Sequence, residues 1–172
     1  DRKGLTGTKE GCAEGDCGAC SVVVVDPLAE GGSTLRSVNS CLMLTQSLEG
    51  QHVFSVEGLK SEDGSAHPVQ KSMVEHLGSQ CGYCTPGFVM AMAEGAHRTD
   101  LDEPWKLNDQ LCGNLCRCTG YRPILDATKA IAGTQPQDSF SSLLQDATPE
   151  PMSLSYQHGE QKYFNPTSLD TL

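Results

Sequence analysis

Between Glu10 and Val22 the sequence reads EGCAEGDCGACSV, three cysteines and three glycines in thirteen residues. Thiolates are soft anionic ligands, so this crowding points to a disulfide knot, a zinc ion or an iron–sulfur cluster. A second group follows in QCGYCTPG (80–87) and GNLCRCTGYRP (113–123). The chain holds nine cysteines, an odd number that argues against a closed disulfide framework, and no secretory leader is expected.

The first set is Cys12, Cys17, Cys20 and Cys41, spaced C-x4-C-x2-C with a distant fourth member. That is the spacing of plant-type [2Fe–2S] ferredoxins, whereas structural zinc sites pair two short knuckles. Three thiolates converging from one loop need a tightly bent chain, and Gly11, Gly15 and Gly18 are expected to supply the left-handed positions. Glycines also let backbone N–H groups approach the sulfurs.

The second set is Cys81, Cys84, Cys116 and Cys118. By spacing alone, C-x2-C followed by C-x-C suits zinc or an iron–sulfur cluster. Position favours the cluster. Each pair shortly precedes an expected helix start, at Pro86 and Pro123, and helix N-termini offer free N–H groups to an anionic group. Cys112 is left over and is expected to be small, buried and not a ligand.

The elements that must position these thiols are of two kinds. Residues 1–58 read as mixed α/β: SVVVVD (Ser21–Asp26) is a buried strand, TLRSV (34–38) a returning one, LMLTQSL (42–48) a short helix and HVFSVEG (52–58) a half-exposed strand, with PLAEGG (27–32) as a turn. From about Pro68 the period turns helical. Val69, Met73, Val74 and Leu77 share one face before Gly78. A second helix runs from Pro86, capped by Thr85, to His97; a third from Pro104 to before Gly113 with Leu107 and Leu111; a fourth from Pro123 with Ile124, Ala127 and Ile131. Four short helices suggest a small bundle. Residues 134–161 have the Gln, Ser, Asp and Pro composition of a linker, and the apolar end, KYFNPTSLDTL, reads as the first step into a further domain.

The formal charge is −10, from 12 basic and 22 acidic residues, which disfavours nucleic-acid binding. No run approaches the roughly 20 apolar residues of a membrane span. Aromatics make up only 5%, and thin cores of this kind lean on bound metals or disulfides. The five histidines (His52, His67, His76, His97 and His158) share no spacing, so surface or capping roles are expected; Arg117, between two cysteines, is as well explained by solvation as by a role in tuning a potential.

Taken together, GTKEGCAEGDCGAC…NSC and QCGYCTPG…GNLCRCTGY closely resemble the iron–sulfur part of the xanthine dehydrogenase family of molybdenum hydroxylases, over roughly residues 5–133. The resemblance implies an α+β chain: an N-terminal β-grasp, ferredoxin-like domain over 1–59 with its first hairpin and helix missing, then a four-helix domain over 67–133, each binding one [2Fe–2S] cluster. The linker over 134–161 then leads to 162–172, where YFNPTSLDTL is similar to the opening of the family's FAD domain. It implies Cys12, Cys17, Cys20 and Cys41 as ligands of the first cluster, Cys81, Cys84, Cys116 and Cys118 as ligands of the second, and Gln80 as a molybdopterin contact. No catalytic acid or base is expected on this chain. Electrons would pass singly from a molybdenum–pterin centre on a large subunit through the two clusters to FAD and NAD, in a cytoplasmic (αβ)2 hetero-oligomer of the bacterial small-subunit type oxidising hypoxanthine or xanthine. An aldehyde or other heterocycle hydroxylase is the alternative within the class, and a zinc-stabilised, non-catalytic interaction protein the one outside it.

Overall fold

A computed structural model describes residues 3–26, 33–61, 63–146, 154–166 and 168–171. Strand β1 (Ser21–Asp26) lies at the centre of an antiparallel sheet, between β2 (Thr34–Asn39) and β3 (His52–Phe54). The register sets Val22 opposite Val38, and Val24 opposite Arg36 on one side and Val53 on the other. Val22 to Val25 are all buried. An unbroken β-branched run is what a central strand covered on both faces requires.

Helix α2 (Thr85–His97) packs on β1 and β2, while α1 (Pro68–Glu75), α3 (Pro104–Leu111) and α4 (Arg122–Ile131) surround its other sides. Phe88, Val89, Met90, Ala91, Met92 and Ala93 are all buried, so α2 is apolar all round because it touches protein all round. Among the described residues no helix is long and apolar enough to cross a membrane.

Several expectations need correction. The stretch 42–48 is not one helix but parts of two 3-10 turns, Ser40–Leu42 and Thr45–Leu48. The residue capping α2 is Cys84 rather than Thr85, which is helical and pairs its hydroxyl with Ser79 at 2.7 Å. On α1 the inward face is Val69, Ser72 and Met73, and Val74 and Leu77 are exposed. Val74 stands one residue, about 100°, beyond Met73, and Leu77 lies past the helix end at φ 56°. Ser72 takes the inner place because its hydroxyl donates to the Ala127 carbonyl of α4 at 2.8 Å. The turn expected over 27–32 lies outside the described residues.

The segment 134–161 is not a bare linker. It contains helix α5 (Ser139–Asp146) and most of a hairpin formed by β4 (Leu154–His158) and β5 (Gln161–Asn165). Phe140 of α5 is fully buried, edge-on to Phe54 of β3 with centroids 4.6 Å apart. The segment's composition looks polar because only Phe140, with Leu143 and Leu144 packed beside it, carries α5 onto the core. Truncation of that anchor by Phe140→Ala is expected to lower the unfolding free energy by about 3–5 kcal/mol, measured by urea denaturation.

Candidate metal centres

The first loop bends as its glycines suggested, with one exchange. Gly15 and Gly18 adopt φ of 77° and 69°, but the third left-handed position near the cysteines is Ala13, at φ 57°. Gly11 is needed for space, since a Cβ there would stand 2.9 Å from the Cys17 sulfur. The bend turns backbone donors inward: the N–H groups of Asp16 and Cys17 both point at Cys12 Sγ, at 3.4 Å. Backbone donors from Glu14, Cys17 and Asp16 hold the Cys12 thiol down at about 7.

All eight cysteines singled out from the sequence come together in their two sets. In the first, Cys17 lies beside Cys12 and Cys41 beside Cys20, with Cys41 also facing Cys12. Cys41 is brought in by the 3-10 turn that follows β2. In the second, Cys81 pairs with Cys118 and Cys84 with Cys116, and Cys81 faces Cys116. Thus each set is four neighbouring thiols. Among the described residues no group of three or more His, Cys, Asp or Glu side chains is arranged to hold a single metal ion. Four such thiols fit a dinuclear iron–sulfur cluster, in which four cysteines serve two irons.

In each thiol pair with opposed shifts, the environment selects which sulfur gives up its proton first. The Tyr83 backbone N–H lowers Cys81, while the shared hydrogen bond raises its partner Cys118. Burial pushes Cys84 up to about 12, and its bond to Cys116 adds to that. Burial also opposes ionisation of Cys116, but the Thr119 hydroxyl, 3.2 Å from its sulfur, and nearby backbone donors outweigh it. Cys84 caps α2, so the helix N-terminus favours its anion; burial wins in the thiol form, and a bound metal would displace the proton.

The two loops touch. Leu115 N–H donates to the Cys17 carbonyl at 3.0 Å, Tyr83 OH to the Glu10 carbonyl at 2.6 Å, and Asn114 Nδ2 to the Gly18 carbonyl at 3.0 Å. Gln80 is exposed beside Cys81, and Arg117 is exposed between two cysteines. Cys112, expected to be buried, is exposed at the C-terminal cap of α3, because the core side of that helix is already taken by Leu107 and Leu111. It stands outside both sets.

A group that sequence reasoning missed lies near the sheet. His67 and His97 each place Nε2 2.9 Å from the same oxygen of Asp138, and all three side chains are at most 8% exposed. His67 also caps α1, its Nδ1 accepting from Val69 N–H, so its proton sits on Nε2 and points at Asp138. A capping role for this histidine agrees with expectation, but no spacing in the sequence signals a partner 71 residues away. Asp138 in turn accepts from the N–H groups of Phe140 and Ser141, seating the start of α5.

Residues 55–129 match the [2Fe-2S] binding domain family. Xanthine dehydrogenase 1 of Arabidopsis thaliana is 48% identical over 132 residues, which is 75% of this chain and 10% of that protein. Aldehyde oxidase 1 of Cavia porcellus is 46% identical over 132 residues, 76% of this chain and 10% of its own length. Among solved structures, a chain of quinoline 2-oxidoreductase from Pseudomonas putida 86 superposes with a TM-score of 0.61 at 36% identity, covering 73% of this chain and 72% of that one. The chain spans about a tenth of the length of the curated relatives it matches.

Burial raises the Asp138 pKa, yet the two histidine hydrogen bonds overcome it and hold the carboxyl well below the usual range. A depressed carboxylate stabilises the fold fully above its unfolded pKa, near about 4, and loses that contribution as pH falls towards its folded value. Asp138→Asn is therefore expected to cost about 1.5–3 kcal/mol at pH 7, with the difference from the parent shrinking below about pH 4 in urea titrations.

Proposed function

The chain belongs to the iron–sulfur regions of the xanthine dehydrogenase family of molybdenum hydroxylases, and on that premise we propose that it is the electron relay of such an enzyme. The observation that carries this reading is the arrangement of eight cysteines as two sets of four neighbouring thiols, held by loops in direct contact. Cys12, Cys17, Cys20 and Cys41 would hold one [2Fe–2S] cluster, and Cys81, Cys84, Cys116 and Cys118 the other. Such clusters take up and release one electron at a time, while hydroxylation of a substrate carbon releases two.

The chain's own groups then do three things. The inward N–H groups of Asp16 and Cys17 and the Thr119 hydroxyl offer hydrogen bonds to cysteine sulfur, which favour the anionic form. Burial of Cys20 and Cys116 keeps water from part of each set. Exposed Gln80, beside the second set, offers an amide donor and acceptor to a pterin on the partner. In the whole enzyme, molybdopterin would lie on a large subunit, with FAD following the β4–β5 hairpin and NAD as final acceptor, in a cytoplasmic (αβ)2 assembly. The sheet carrying the first set suits a β-grasp domain and the α1–α4 unit suits the four-helix one.

The substrate proposed is hypoxanthine or xanthine, which the similarity to the plant xanthine dehydrogenase supports. The similarity to an aldehyde oxidase and to a quinoline oxidoreductase favours an aldehyde or another N-heterocycle as the second reading. Substrate-dependent NAD⁺ reduction by the purified complex, compared across hypoxanthine, an aldehyde and quinoline, decides between them.

Metal analysis tests the relay itself. About four irons and four acid-labile sulfides per chain are expected, from two clusters of two irons each; zinc without visible absorption would overturn the reading. Cys112→Ala is expected to retain full iron content, while Cys116→Ala loses one cluster. Gln80→Ala is expected to keep both clusters and lose turnover, and full turnover would remove its assigned role.

A further inference from the structure

The Gly18 carbonyl, inside the first cysteine loop, accepts from three donors: Ser21 N–H at 3.1 Å, Ser21 Oγ at 2.8 Å and Asn114 Nδ2 at 3.0 Å. Asn114 is 5% exposed and belongs to the second loop, two residues before Cys116. The second hydrogen on the same nitrogen reaches Ser21 Oγ at 3.1 Å. Ser21 Oγ also lies 3.1 Å from Asn39 Oδ1, and Asn39 Nδ2 donates to the Gly15 carbonyl at 2.7 Å. A polar line thus runs from half-buried Gly15 and Asn39 through buried Ser21 to buried Asn114, and one end of it carries each set of thiols.

Only an amide fits at Asn114. Its nitrogen supplies two donors, which is what a carbonyl and a hydroxyl side by side demand. An aspartate of equal size would offer oxygen to the Gly18 oxygen, and an alanine would remove one of the three donors to that carbonyl and the donor to Ser21 Oγ. There is no slack around it: a Cβ on Gly18 would stand 2.3 Å from both Asn114 Nδ2 and the Gly113 carbonyl. From α2, a Cβ on Gly87 would stand 2.1 Å from the Gly18 carbonyl and 2.9 Å from Asn114 Nδ2.

We propose that Asn114 is a positioning residue whose buried amide, clamped on Gly18 and Ser21, sets the separation of the two four-thiol sites. The inference rests on the reading that both sites hold clusters. Separation matters to a relay because the coupling between two centres falls steeply with distance, and a loop loosened by one lost clamp lets it vary from molecule to molecule. Asn114 touches neither set of sulfurs in this account; it acts through the backbone of Gly18 and of Leu115, whose N–H meets the Cys17 carbonyl.

The test is the magnetic interaction between the two clusters in the complete enzyme reduced by dithionite, read as line splitting in low-temperature electron paramagnetic resonance, with iron and sulfide measured on the same samples. Asn114→Ala and the isosteric Asn114→Asp are expected to keep full iron and sulfide while the splitting falls at least twofold. Gly87→Ala, which loads Gly18 from the helix side, is expected to reduce the splitting with Asn114 intact, and it carries the test if the Asn114 variants do not fold. Unchanged splitting in the fully loaded variants overturns the inference, as does full splitting in Asn114→Asp alone, since side-chain volume would then suffice. Loss of iron from Asn114→Ala or Asn114→Asp also overturns it, because Asn114 would then serve assembly. Absence of iron and sulfide from the unaltered enzyme overturns the relay reading instead.

Discussion

At the Gly18 carbonyl, three parts of the chain come within hydrogen-bonding or near-van der Waals contact, and both cysteine sets depend on how closely they meet. Gly18 itself stands at φ 69°, Gly87 leaves room for its oxygen against α2, and Asn114 closes the third side. Each of the three is constrained by the other two. A side chain at either glycine would push the first loop away from α2, whose first residues follow Cys84, and from the 113–116 segment that carries Cys116. Dense packing transmits such a shift because there is no void to absorb it.

The rest of the fold serves this contact. Central strand β1 starts immediately after Cys20, so burying Val22 to Val25 fixes the exit of the first loop. Helix α2 lies across β1 and β2 with Cys84 at its start, and the Glu94 carboxylate on α2 accepts from Ser37 N–H of β2 at 2.9 Å and from Gln110 of α3 at 3.1 Å. Sheet and helices are therefore joined by directional bonds as well as by the apolar core. On the far side, Asp138 gathers His67, His97 and the start of α5, which tethers the chain as it leaves towards the β4–β5 hairpin.

Much of this was legible in the residues. The valine run forms the central strand, and the four helices start within two residues of the positions where Pro68, Pro86, Pro104 and Pro123 placed them. Proline marks helix starts because its missing N–H has no partner there in any case. Cysteine spacing groups the thiols that the fold brings together, because a loop bent by glycines holds near cysteines close. What misled was one-dimensional inference of burial. Val74 and Leu77 looked like core, yet α1 ends too soon and its inner face needed Ser72; Cys112 looked like core, yet its helix had already turned it outward. The polar segment after Gly133 hid α5, since Phe140, Leu143 and Leu144 are a short apolar cluster inside a stretch rich in Ser, Gln, Asp and Pro.

The residues alone point to which cysteines crowd together in each loop, because local spacing and turn-forming glycines act over a few residues. The valine strand and the four proline-led helices follow from equally local signals. Folding in three dimensions alone brings Asn114 and Gly87 against Gly18, and sets His67 and His97 on one oxygen of Asp138. Those contacts join residues tens of positions apart, and nothing in their spacing encodes them. They arise where independently specified elements close on one another, and there a single hydrogen or a missing Cβ decides the fit.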